Sequence, residues 1–124
     1  MRLELKDKKR LVGFSFAWQG IQFVVKNERN FRVHLCAAIV VILAGIILNI
    51  NITEWSIILL LIGNVFITEM LNTVAERIID YVKPDVHPAA KQIKDVAAGA
   101  VLIAATIAVI IGCFIFIPKV AGLM

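Results

Sequence analysis

The sequence predicts an all-α integral membrane protein with three transmembrane helices and an N-terminal amphipathic surface helix, and three observations carry that expectation. Hydrophobic residues make up 60% of the 124, and the mean hydropathy is +0.90, too apolar for an ordinary soluble domain. Apolar runs approach the roughly 20 residues that cross a bilayer core of about 30 Å. Eight basic residues precede the first run, none lies in the turn after it, four lie from Arg77 to Lys94, and one follows the third run. By the positive-inside rule both basic regions are cytoplasmic. The chain reads as one domain, 1–124, with a surface helix about 9–27 and spans about 33–52, 55–82 and 94–117.

The opening MRLELKDKKRLV is charged and lacks the apolar core and small-residue cleavage site of a secretory signal, so this N-terminus is expected to persist. Leu11, Phe14, Trp18, Ile21 and Val25 then follow helical spacing on one face, while Arg10, Gln19, Gln22 and Lys26 interrupt any continuous apolar run. Such a helix suits the membrane interface, with Trp18 at headgroup depth. The same stripe also suits packing against the spans. In KNERNFRVH, Lys26, Arg29, Arg32 and His34 surround Glu28 just before the first span. Glu28 either pairs with these cations or meets Glu76 at the same depth to form a carboxylate site for a hard cation. His34 by itself reads as an interfacial histidine rather than a ligand.

The first span, Leu35 to Ile50 with Val33 and Ile52 as extensions, ends in the polar turn NINITEW, and Trp55 anchors the return. The second span gathers Glu69, Asn72, Glu76 and Asp80 at spacings of three, four and four, one above another on a helical face. A carboxylate within a span costs roughly 2.5 to 3.5 kcal/mol on insertion scales, so two on one stripe imply a use. Pro84 and Pro88 stop this helix, and the loop after it carries Lys83, Asp85, His87, Lys91, Lys94 and Asp95. The third span is closed by Pro118 and Lys119. Along it Ala100, Ala104, Ala108 and Gly112 recur every fourth residue and make a flat packing seam, within or between subunits. Three spans form a thin bundle, in which an oligomer burying the acidic stripe is plausible.

Composition also excludes some chemistry. A net charge of +4 comes without a basic patch interleaved with aromatics, so nucleic acid is not the expected partner. Cys36 and Cys113 sit in apolar runs as small hydrophobes, no His or Cys cluster has zinc spacing, and no G-x-x-x-x-G-K loop exists to hold phosphates. Carboxylates with open positions suit magnesium, which keeps waters and bridges nucleotide phosphates. A lysine can neutralise phosphate charge, and a partly desolvated carboxylate can take the proton of an attacking hydroxyl. Such a constellation permits phosphoryl transfer to a lipid alcohol. A proton-coupled transporter is the alternative from another class, but it would place its acid near the midplane with access from both sides. A purely structural membrane subunit leaves the acidic stripe unexplained.

The segments ITEMLNTVAERIIDY, KDVAAGAVLI and NERNFRVH together resemble the prokaryotic diacylglycerol kinase family of small three-span membrane kinases, and the resemblance covers nearly the whole chain. It implies a homotrimer in a bacterial plasma membrane, with active sites built from more than one protomer at the cytoplasmic interface and Mg2+ and ATP as cofactor and co-substrate. It further implies that Glu69 is the general base, assisted by Asn72, and that Glu28 and Glu76 hold magnesium. Asn72, Lys94 and Asp95 would organise nucleotide and phosphates, with Asp85 and His87 in the nearby loop. Where the family often has a phosphate-contacting arginine in the surface helix, this chain offers Lys9 and Arg10. Trp18 and Arg32 are expected to face the lipid substrate beside Glu69. NERNFRVH and KDVAAGAVL look more like the Gram-positive branch, whose members resemble undecaprenol kinases, so undecaprenol is the expected lipid and diacylglycerol the runner-up.

Overall fold

The computed structural model describes the backbone of residues 2–123 and the side chains of residues 13–123. Four helices follow one another: α1 (Arg2–Asn27), α2 (Arg29–Ile47), α3 (Ile52–Val82) and α4 (Pro88–Leu123). The last three are long and apolar enough to cross a membrane. α4 is the main packing partner of α3, α2 lies along α3 more sparingly, and among the described residues α1 packs mainly on α2. The second span is therefore the helix on which the others are assembled.

Local chemistry explains the joints. A single residue, Glu28, separates α1 from α2 in an extended conformation, and its side chain makes no cap hydrogen bond. Arg32 on the first turn of α2 reaches back and donates to the carbonyls of Val25 and Lys26 at 3.0 and 2.8 Å, satisfying carbonyls at the end of α1. At the other end of α2 the helix stops earlier than its hydropathy suggests, at Ile47 rather than near residue 52. Asn49 adopts φ 53°, the left-handed region that asparagine tolerates better than most residues. There the Asn49 N–H bonds the Ile46 carbonyl and the Ile50 N–H bonds the Gly45 carbonyl, the paired closure of a Schellman end. Asn51 then caps α3: its side chain accepts from the Glu54 N–H at 2.8 Å, and Glu54 accepts from the Asn51 N–H at 3.1 Å.

Pro84 and Pro88 act as expected, since α3 ends at Val82 and Pro88 opens α4, where a missing N–H costs nothing. Pro118 does not. It lies inside α4, which runs on to Leu123, because losing one N–H donor is tolerated where the surrounding helix stays hydrogen-bonded. Continued helix places the next residue, Lys119, against Glu54, Nζ to Oε1 3.1 Å. The surface stripe on α1 also departs from one expectation: Phe14 is 79% and Trp18 61% exposed. Those two side chains do not pack on the spans of their own chain. Among the described side chains of α1, Val24 rather than Val25 is the buried one.

The bundle is thin. Phe31 and Phe66 stack with centroids 5.1 Å apart, and Ala38, Ile58, Val65 and Ala104 complete the buried apolar contacts along the spans. Ala104 is the member of the small-residue seam that is fully covered, against its own chain. Most large apolar side chains of α2, α3 and α4 face outward, as suits helices whose solvent is lipid or another subunit. Cys36 and Cys113 are exposed on their helices and unpaired.

Candidate functional site

The polar residues of α3 concentrate in its second half. Glu69 and Thr73 are the buried polar residues of the described chain. Thr73 turns its hydroxyl back onto the Glu69 carbonyl at 3.2 Å, a bond within the helix that leaves the Glu69 carboxylate to find a partner elsewhere. It finds one on α2. His34 Nε2 stands 3.1 Å from Glu69 Oε1, with the side chains 25% and 5% exposed respectively. Glu69 is thus covered within a single chain, and no neighbouring subunit is needed to bury it. Sequence shows His34 only as an interfacial histidine and gives no sign of Glu69 as its partner, because a lone histidine at a membrane boundary has no spacing partner along its own helix.

One turn further, the Oδ1 of Asn72 is buried without a hydrogen-bonding partner. Buried amide oxygens are nearly always satisfied, so this acceptor, unpartnered among the described residues, is an exception. Glu28 and Glu76 approach closely enough for their charges to act on Glu69. Glu28 lies 4.0 Å from the Arg77 guanidinium, which itself sits 4.9 Å over the Phe23 ring. Arg77 thereby links α3 to the end of α1 and to the α1–α2 joint, a role no sequence pattern announced. Among the described residues, no three His, Cys, Asp or Glu side chains gather as a metal-holding group. The chain brings two carboxylates and an amide oxygen to one neighbourhood, not a closed cage.

The loop residues sort differently from their order in sequence. Lys94 does not pair with the adjacent Asp95 but reaches Asp80 on α3, Nζ to Oδ1 2.5 Å. Asp95 instead pairs with Lys91 one turn earlier at 2.6 Å. Asp80, the foot of the acidic stripe, therefore ties α3 to α4 beside the loop. His87 accepts from the Ala89 N–H at 3.1 Å and shares an open concavity with Lys91, Gln92 and Asp95. Asp85 is exposed in the same loop. Of the residues expected at the lipid, Trp18 is exposed on α1, whereas Arg32 spends its guanidinium on the α1 carbonyls. The side chains of Lys9 and Arg10 lie outside the described residues.

An apolar groove of about 420 Å3 runs between α2, α3 and α4. Its walls include Ala38, Val65, Phe66 and Ala108, and its one titratable lining residue besides Cys113 is His34, the partner of Glu69. This apolar groove thus meets a buried carboxylate through a single imidazole.

Comparison with known proteins identifies the family. The prokaryotic diacylglycerol kinase family matches residues 15–116. The chain is 46% identical over 106 residues to the undecaprenol kinase of Bacillus subtilis, covering 86% of each chain. It is 39% identical over 115 residues to the diacylglycerol kinase of Synechocystis, covering 92% of this chain and 66% of that relative. With the diacylglycerol kinase of Escherichia coli K12 the identity is 27% over 100 residues, 81% of this chain and 82% of the other. A multi-pass helical chain of this size, matched along most of its length, belongs to the prokaryotic diacylglycerol kinase family.

Proposed function

We propose that this protein is an ATP-dependent lipid kinase that transfers the γ-phosphoryl group to the hydroxyl of a membrane lipid alcohol, undecaprenol in preference to diacylglycerol. The observation that carries the reading is the buried Glu69 carboxylate, joined through His34 to an apolar groove on one side and followed by Asn72 and Glu76 on the other. A hydroxyl held beside Glu69 gives its proton to the carboxylate as its oxygen bonds to the γ-phosphorus. The bond from that phosphorus to the bridging oxygen breaks, and ADP leaves with the electron pair. Glu69 ends the step as a neutral acid.

Glu28, Glu76 and the unpartnered Asn72 oxygen suit magnesium, a hard cation that takes oxygen ligands and fills the rest of its shell with waters and phosphates. Bound there, magnesium would screen the charge of the nucleotide phosphates. Lys94, Asp95, Asp85 and His87 surround the adjacent loop, where Lys94 is already oriented by Asp80, and they would hold nucleotide, with Lys9 or Arg10 contributing from α1. Trp18, exposed on α1, fits the lipid headgroup region. The basic residues at this end favour a cytoplasmic N-terminus and α3–α4 loop. Outward-facing apolar surface and the incomplete ligand set favour a homotrimer in which neighbouring protomers complete each site.

The test is to give purified protein in lipid Mg-ATP with undecaprenol, diacylglycerol or a short alcohol, and to follow labelled phosphate. Undecaprenol should show the highest kcat/KM in a common lipid host, consistent with the name of the Bacillus relative. A preference for diacylglycerol would overturn the substrate while leaving the kinase standing, and no transfer to any lipid would overturn both.

A further inference from the structure

We infer that His34 is a positioning residue for the transfer, holding the Glu69 carboxylate by an Nε2–H directed at Oε1 so that Oε2 faces the lipid hydroxyl. The inference rests on the reading of Glu69 as base. Its physical ground is the 3.1 Å approach of the two groups between α2 and α3. An ionised carboxylate has only acceptors, so a hydrogen on Nε2 is the arrangement in which this approach holds the carboxylate. A contact of this kind aligns further as the substrate complex forms.

Three further features favour a role beyond packing. Among the described residues, His34 is the one side chain within hydrogen-bonding reach of the Glu69 carboxylate. With one oxygen fixed, rotation of the carboxylate is restrained and the free oxygen has a defined direction, which lowers the ordering cost at the transition state. His34 also lines the apolar groove, so the residue that orients the base is the residue a hydrocarbon tail would pass on its way to it. Finally, the pair is held by rigid elements: Phe31, one turn before His34, stacks on Phe66, one turn before Glu69.

His34→Leu and His34→Gln separate the alternatives, because leucine fills the space without a donor and glutamine places an N–H close to the Nε2 position. We expect His34→Leu to lower kcat about ten- to a hundredfold, the worth of a hydrogen bond to a charged group. The Michaelis constants for lipid and ATP and the assembly state should stay near parental, and His34→Gln should recover most of kcat. A readout independent of turnover is nitrogen NMR of the imidazoles. The chain has two histidines, and the His34 signals are those missing from His34→Leu; Glu69→Gln should shift them. Parental kcat in His34→Leu, or equal losses in the Leu and Gln variants, would overturn the positioning role. Unshifted signals in Glu69→Gln would overturn the contact itself. A parent protein without lipid kinase activity would instead remove the functional reading, and the positioning role with it, while a shift in the NMR experiment would still establish the contact.

Discussion

The two halves of α3 each carry a glutamate close to another helix, and they treat it in opposite ways. Glu54, at the Asn49–Asn51 turn, completes a reciprocal cap with Asn51 and also receives Lys119 from α4 at 3.1 Å, with its side chain still 18% exposed. Glu69, four turns on, is far more deeply buried, has one imidazole for company, and stands beside an amide oxygen with no partner. At the first, the Asn51, Glu54 and Lys119 side chains answer needs of the fold, namely a helix start and the end of α4. At the second, burial is deep and satisfaction is incomplete, which is costly unless a ligand finishes the job. Completeness of pairing, more than the presence of charge, separates the structural end from the proposed chemical one.

The comparison breaks most sharply at Glu69. Glu69→Gln keeps the shape and much of the hydrogen bonding but removes the base, and turnover should fall by about 10² to 10⁴, measured as labelled phosphate reaching lipid. ATP binding and assembly should survive. A variant that phosphorylates at close to the parental rate, or one that is inactive only because it no longer assembles, would sink the assignment.

Glu76→Gln and Glu28→Gln sharpen it at the proposed cation ligands. Each should raise the magnesium needed for half-maximal rate, with partial rescue by high magnesium or by manganese. Binding of manganese, followed by its paramagnetic resonance in the presence of nucleotide, should weaken in parallel. Ordinary metal dependence in both variants would take these residues out of the cation site. Glu28→Gln carries an added effect, because it also loosens Arg77.

Much of this chemical end was legible in sequence, and what was not has a common cause. Helical spacing alone puts Glu69, Asn72, Glu76 and Asp80 on one stripe, and a glutamate in an apolar run announces itself. Spacing along one helix says nothing about a neighbour, however. The contact of His34 with Glu69 depends on how α2 leans on α3, and the attachment of Lys94 to Asp80 depends on how the loop folds back. The adjacent Lys94 and Asp95 look like a pair in sequence but point to different partners. Boundaries failed for a related reason. Hydropathy continues through Leu48 and Ile50, yet a left-handed asparagine ends α2 at Ile47, so the polar turn NINITEW is legible in sequence but the residue at which the helix stops is not.

At the structural end, Gly45→Ala should show in stability rather than catalysis. A Cβ at Gly45 would lie 2.8 Å from Trp55 Cη2 and 3.0 Å from Ile50 Cδ1, so the indole and the turn must give way. Overpacking of this kind costs about 1 to 3 kcal/mol. Unfolding in detergent should shift accordingly, while kcat under conditions where the protein stays folded remains parental. A loss of kcat without a loss of stability would mean that the two ends of α3 are coupled.

Asn51→Ala is the smallest test and the most selective. The variant loses the Oδ1 that accepts from the Glu54 N–H at 2.8 Å, but the backbone N–H of residue 51 can still donate to Glu54, and Lys119 still reaches the same carboxylate. Half of the cap therefore survives, and the expected cost is about 1 kcal/mol, as for the loss of an ordinary N-cap. Asn51→Ser should recover it, since serine serves that position about as well. In both variants the rate of lipid phosphorylation and its magnesium dependence should be unchanged, because every partner of Asn51 belongs to the turn and none to the Glu69 neighbourhood. Equal stability in the Ala and Asn proteins would show that Lys119 alone holds Glu54 in place. A fall in phosphorylation that serine restores would place this turn within the catalytic machinery and erase the contrast between the two ends.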